Sequence, residues 1–130
     1  MRVTRIGSGA PWEGIVGYSR VVVRGDAAWV SGTTSVVDGV VAHPGDAAAQ
    51  TRQALAMIRE SLERAGFTIA DVVRTRMYVT DISRWEEIGR AHGEVFGDVR
   101  PATSMVQVAA LIDPAMLVEI EADAVRGTTA

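Results

Sequence analysis

Only two stretches of this chain carry the spacing of an amphipathic helix, and several strand-like stretches around them are apolar on both faces. Val21-Val22-Val23, Val72-Val73 and Val108-Ala109-Ala110-Leu111 all break the apolar/polar alternation of a strand with one wet face. Two helices cover one face of a sheet and leave the other bare. The simplest solution is an α+β domain, one sheet with two α-helices packed on one face, whose second face is covered by further copies of the chain. The 130 residues suit a single domain over 1–130 with one core.

The local signals give the order. Ile15 to Arg24 is β-branched and ends at the turn signal Arg24-Gly25-Asp26, with Ala28 to Ser31 as its hairpin partner. Val36-Val37 and Val40-Val41 flank Asp38-Gly39, the dipeptide of a tight hairpin. Asp46 to Ala65 then reads as a helix: Asp46 is the N-cap, Leu55, Ile58, Leu62 and Ala65 form its apolar stripe, and Gly66 ends it. Asp71 to Thr80 is a strand. Ser83 and Glu86 have the spacing of a capping box for a second helix with Trp85, Ile88, His92 and Val95 on one stripe. Gly89 and Gly93 inside that helix each cost about 1 kcal/mol against alanine, which calls for a close neighbour. Two last strands, Ala102 to Leu111 and Met116 to Val125, complete the chain.

Absences narrow the chemistry. The chain has no cysteine, which removes disulfides, thiolate nucleophiles and thiolate metal sites. All 13 basic residues are arginine, so no lysine is available to form a Schiff base or hold pyridoxal phosphate. His43 and His92 are far apart in sequence and not in an i, i+4 pair, so a histidine-based metal site is not expected. A net charge of −3 argues against nucleic acid as a partner. No apolar run has the length of a membrane span or the shape of a signal peptide, so no membrane partner and a cytoplasmic location are expected.

Six segments in register resemble the Rid (YjgF) family of imine and enamine deaminases. They are Gly14 to Arg20 (against G-x-x-x-Y-S-Q), Trp29-Val30-Ser31-Gly32-Thr33, the helix over Thr51 to Leu62, Asp71 to Asp81, Arg100-Pro101-Ala102-Thr103-Ser104, and Leu117 to Ala122. The resemblance implies a chorismate-mutase-like fold with a mixed sheet, a homotrimer, and small-molecule clefts between subunits. It further implies hydrolysis of reactive imines without a cofactor. Carried over residue by residue, Glu119 is the catalytic carboxylate that positions water, and Tyr18, Ser31 and Gly32 line the cleft. Thr103 stands where the family has the arginine that grips the substrate's carboxylate, Gly89 stands where many relatives have asparagine, and Met105 makes the strand beside Thr103 less polar.

A threonine hydroxyl offers one neutral hydrogen bond, about 1 kcal/mol, against about 1.5–3 kcal/mol for a charge-assisted bond from a guanidinium fork. The substrate is therefore expected to differ from the family's 2-imino acids. Arg100 is the first candidate to replace the missing clamp, with Arg74 and Arg76 behind it. Each residue also has a plainer reading: Glu119, Glu121 and Asp123 as a solvated strand face, Tyr18 as a strand aromatic, His92 as a packed core histidine. The alternatives to a hydrolase are a non-catalytic trimer that binds a small metabolite and, against the acidic balance, an endoribonuclease or translation inhibitor.

Overall fold

The structure is a computed structural model and describes residues 2–127. Its strands are β1 (Val3–Ile6), β2 (Val21–Arg24), β3 (Ala27–Thr33), β4 (Val36–Val37), β5 (Val40–Val41), β6 (Val72–Val79), β7 (Ala102–Gln107) and β8 (Val118–Val125). Its α-helices are α1 (Ala47–Arg64) and α2 (Trp85–Phe96). Six strands form one sheet in the order β1-β2-β3-β8-β6-β7, while β4 and β5 make a separate hairpin. The β6–β7 pair is parallel and every other pair antiparallel, so the sheet is mixed, with α2 as the crossover between the parallel strands.

Both helices pack on one face. Ala54, Leu55, Ile58 and Leu62 of α1 and Ile88 and Phe96 of α2 bury against Val30, Met77, Val79, Val118, Ile120 and Ala122 of the sheet. The Asp46 carboxylate caps α1 by accepting from the Ala49 N–H at 3.0 Å. Gly66 takes φ +84°, a conformation open to glycine without a Cβ penalty, and turns the chain out of the helix. Asp38 and Gly39 both have positive φ, as the tight turn between β4 and β5 requires.

Several expected boundaries move. Glu13–Gly17 forms a π-helical turn, not the start of a strand; Ile15 and Val16 are 81% and 71% exposed, and Gly17, at φ +89°, reverses the chain before β2. β1, not anticipated from the sequence, pairs with β2 along its whole length. Ser83 is not the cap of α2: a short 3₁₀ turn (Ile82–Arg84) precedes that helix, and the Asp81 carboxylate accepts from both the N–H and the hydroxyl of Ser83. Trp85 is 57% exposed and leaves the apolar stripe, which is completed by Ala91 and Phe96. β7 stops at Gln107 because its only neighbour, β6, ends at Val79, so Val108–Leu111 is not strand. No close neighbour accounts for the helix glycines: a Cβ at Gly93 would meet nothing within 4 Å, and one at Gly89 only the Trp85 ring at 3.9 Å.

The face away from the helices is less apolar than the valine runs imply. Glu119, Glu121 and Asp123 of β8 share it with Arg76 and Tyr78 of β6. Arg76 pairs with Asp123 at 3.2 Å, and the Tyr78 hydroxyl donates to Glu121 at 2.7 Å. Trp29, Val106 and Val125 are large exposed apolar side chains on it, at 46%, 47% and 49%. Among the described residues no helix is long and apolar enough to cross a membrane.

Candidate functional site

The expected site residues fall into two groups. Four of them gather around a bulge in β3. Val30 pairs with Ala122 and Thr33 with Ile120, so three steps along β3 oppose two along β8. Ser31 and Gly32 occupy the irregularity, the kind of local kink that re-aims side chains. The Ser31 hydroxyl donates to the Ser19 carbonyl at 2.6 Å. Gly32 carries no Cβ, and one placed there would lie 2.6 Å from Oε2 of Glu119 and 2.8 Å from its Cδ. The Glu119 side chain thus lies directly against the glycine, in space that the Cβ of any other residue would fill.

Arg20 joins this group, although nothing in the sequence singled it out. Its Nη1 donates to the carbonyls of Ser31 (3.1 Å) and Gly32 (2.8 Å) and to the Thr33 hydroxyl (2.9 Å). Its guanidinium carbon lies 5.7 Å from the centre of the Tyr18 ring. Tyr18, Ser31, Gly32 and Glu119 are therefore brought together, with Arg20 as the link. Burial pushes the Glu119 carboxyl above its ordinary range, the neighbouring charge of Glu121 adds to this, and the positive charge of Arg20 opposes both.

A raised carboxyl has a consequence for stability. Between the ordinary pKa and the raised one, the folded state holds more protons than the unfolded state, so stability falls as pH rises through that window. Below it Glu119 is protonated in both states and contributes nothing. Thermal unfolding of Glu119→Gln is therefore expected to match wild type at pH 4 and to exceed it at pH 7. Equal melting temperatures at both values would mean that the carboxylate is fully solvated.

The second group lies on the other side of the sheet. Thr103 pairs in register with Thr75, whose side chain is on the helix-facing side. The Thr103 hydroxyl is within hydrogen-bond distance of the Pro101 carbonyl (3.2 Å) and of Oγ1 of Thr75 (2.8 Å), which contacts Nε2 of His92 (2.9 Å). The three side chains thus form one continuous polar chain from the edge strand to the buried imidazole. His92 is buried, packed against Phe96 with ring centres 4.6 Å apart, and held below its ordinary pKa by burial, as befits a core histidine. Met105 packs against the core on the same side, and Gly89 lies one helical turn before His92.

Arg100, just ahead of β7, is exposed and has φ +54°, which is unusual for a residue that precedes a proline. Its N–H donates to the Phe96 carbonyl at 2.8 Å. Arg76 is on the Glu119 face and engaged by Asp123; Arg74, beside it, reaches Ser104 at 3.4 Å and leaves a buried Nε without a partner. Within one protomer, then, Glu119 and Thr103 do not meet. The shallow depression of about 370 Å³ on the open face is lined by Trp29, Ser31, Arg76, Glu121 and Asp123 and includes neither residue. Among the described residues no cluster of His, Asp and Glu has the arrangement of a metal site.

The mixed six-stranded sheet with two helices on one face is the chorismate-mutase-like arrangement, and its relatives share it. A family model described as Endoribonuclease L-PSP matches residues 9–126. The chain belongs to this family, known also as the YjgF, RutC or Rid family. Rv2704 of Mycobacterium tuberculosis, a solved member, is 54% identical, with a TM-score of 0.88 over 96% of this chain and 100% of that one. The YjgF gene product of E. coli is 31% identical, with a TM-score of 0.79 over 95% of this chain and 94% of that one. SCO2049 of Streptomyces coelicolor, which carries no functional name, is 38% identical over 96% of this chain and 93% of its own. The 3-aminoacrylate deaminase RutC of Acinetobacter baylyi is 40% identical over 62% of this chain and 63% of its own.

Proposed function

We propose that this protein hydrolyses a small reactive imine or enamine in clefts between the subunits of a cytoplasmic homotrimer, and that its substrate has diverged from 2-imino acids. The observation that carries this reading is the Glu119 carboxylate, partly buried, raised in pKa and laid over Gly32 beside Arg20. A carboxylate with a raised pKa takes a proton from water more readily than an ordinary one. Glu119 orients a water and removes its proton as the oxygen attacks the C=N carbon. The proton goes on to the nitrogen, which completes a carbinolamine; Glu119 then takes the hydroxyl proton and passes it to the amine nitrogen as the C–N bond breaks, so that a carbonyl compound and neutral ammonia leave. An enamine enters the same path after protonation at carbon. No step calls for a cofactor.

The cleft needs more than one copy, because Thr103 and Glu119 lie on opposite faces of a single protomer. β7 is an edge strand exposed along most of its length, and Trp29 and Val106 offer apolar surface for a second chain to cover. Light scattering is expected to give about three times the 13.8 kDa of the chain; a monomer would remove the cleft. Ammonia release above the spontaneous rate tests the activity, with Glu119→Gln as the control. The relative named for 3-aminoacrylate puts that enamine beside 2-iminobutanoate on the panel.

Thr103 supports the divergence. Its hydroxyl is engaged by Pro101 and Thr75, leaving no charge at that place for a substrate carboxylate. Thr103→Arg is expected to raise affinity for pyruvate and 2-oxobutanoate about ten- to a hundredfold, the scale of a charge-assisted pair. Calorimetric titration reads this directly, and unchanged affinity in a stable trimer would take Thr103 out of the cleft. The same absence favours a second reading, a trimer that binds a metabolite without turnover. An endoribonuclease is disfavoured by the row of Glu119, Glu121 and Asp123, which repels a polyanion.

A further inference from the structure

We propose that Arg20 is the anion anchor of this site: it holds a small carboxylate on the same wall as Glu119, replacing a clamp at position 103. The proposal rests on the reading of Glu119 as the catalytic carboxylate. Arg20 stands where the resembled motif has glutamine, so the charge belongs to this chain and not to the motif. A guanidinium has five N–H donors. All three protein acceptors of Arg20, the Ser31 and Gly32 carbonyls and the Thr33 hydroxyl, are met by Nη1. Nε and Nη2, the edge that receives a carboxylate in a two-point fork, donate to no acceptor among the described residues.

The charge is also uncompensated at contact distance. Arg20 makes no ion pair among the described residues, as is true of most of the arginines; it differs from the exposed ones in being half-buried and held by three bonds. Glu13 and Glu119 feel its field without touching it. Its three bonds to the bulge hold the guanidinium in place, and a pre-positioned fork loses less freedom on binding than a mobile one. The Tyr18 ring, 5.7 Å away, covers one side. Because the anion would share a wall with the negative charge of Glu119, repulsion favours ligands whose carboxylate is separated from the C–N carbon. A 2-imino acid, with the two adjacent, gains little.

Propanoate and its neutral counterpart propanamide are suitable probes, titrated into the full-length protein and followed by NMR at the Nε–H of Arg20. Propanoate is expected to move that signal and propanamide to leave it. Arg20→Gln, which restores the glutamine of the resembled motif and retains a donor for the bulge, should weaken propanoate at least tenfold and leave propanamide unchanged. Arg20→Lys should fall between, since it keeps the charge but loses the fork. Glu119→Gln should bind propanoate at least as well as wild type while losing turnover. If folded Arg20→Gln binds propanoate as tightly as wild type, or if wild type treats acid and amide alike, the proposal is overturned and Arg20 only pins the bulge. Turnover lost in Glu119→Gln together with unaltered binding in Arg20→Gln would sink the anchor and leave the hydrolase reading intact. Anion binding that depends on Arg20 in a protein without turnover would do the reverse.

Discussion

Replacing Glu119 with glutamine is expected to lower imine or enamine hydrolysis by about a hundred- to ten-thousandfold, the contribution of a positioned general base. The substitution keeps size and one acceptor but cannot take a proton from water. It also removes the charge that burial and Glu121 disfavour, so the loss of rate should come with a gain in stability at neutral pH. A protein that becomes more stable and less active at one position is spending stability on chemistry. The measurement is kcat on the best substrate of the panel alongside thermal melting. A rate within threefold of wild type would assign Glu119 to the solvated face of β8 and nothing more.

The largest expected effect on stability lies behind the site, at Gln50. Its side chain is fully buried on α1. Nε2 donates to the His43 carbonyl (3.2 Å) and the Ala115 carbonyl (2.9 Å), and Oε1 accepts from the Leu117 N–H (2.8 Å). One side chain thus satisfies three backbone groups from two loops and fixes the entry to β8 two residues before Glu119. Gln50→Ala strands the Ala115 carbonyl and the Leu117 N–H, while the His43 carbonyl keeps the Asp46 N–H at 3.1 Å. At about 1–3 kcal/mol for each buried group left without a partner, the expected loss is about 2–4 kcal/mol. Gln50→Leu, apolar and of similar volume, should not recover it. Urea unfolding at fixed protein concentration reads the change as a lower midpoint with an unaltered slope. A loss under about 1 kcal/mol would show that water replaces the amide.

The fold was legible where periodicity and caps agree. The stripe of Leu55, Ile58 and Leu62, the Asp46 cap and the Asp38-Gly39 turn each carry a local physical cause, and each stands in the structure as read. Failures came where a distant partner decides. Ile15 and Val16 have β-branched side chains, yet no strand lies beside them and Gly17 turns the chain away. Ser83 has the spacing of a cap, but Asp81, two residues earlier, already meets its N–H. β1 is four residues long and has no recognisable pattern without β2 to pair with.

The site was legible only in part. Tyr18, Ser31, Gly32 and Glu119 follow from the motifs, and the structure gathers them. Arg20 lies inside the Gly14 to Arg20 segment, yet the motif match does not single it out, because its contacts depend on a bulge that only strand register reveals. The departure from glutamine was the available signal. Thr103, Met105 and Gly89 lie across the sheet from Glu119, a separation invisible to any reading that leaves out which face each strand residue takes.

The central claim is that the wall formed by Glu119, Gly32 and Arg20 hydrolyses C=N compounds. The most direct test is ammonia release by the wild-type protein, with each imine or enamine generated in place and the spontaneous rate subtracted. The panel should contain 2-iminobutanoate, 3-aminoacrylate and an uncharged imine. At least one substrate other than 2-iminobutanoate is expected to react a hundredfold or more above its spontaneous rate, while 2-iminobutanoate stays within about tenfold, and Glu119→Gln should abolish the difference. No acceleration on any member, from a protein that is a folded trimer, would contradict the claim and leave a binding protein in its place.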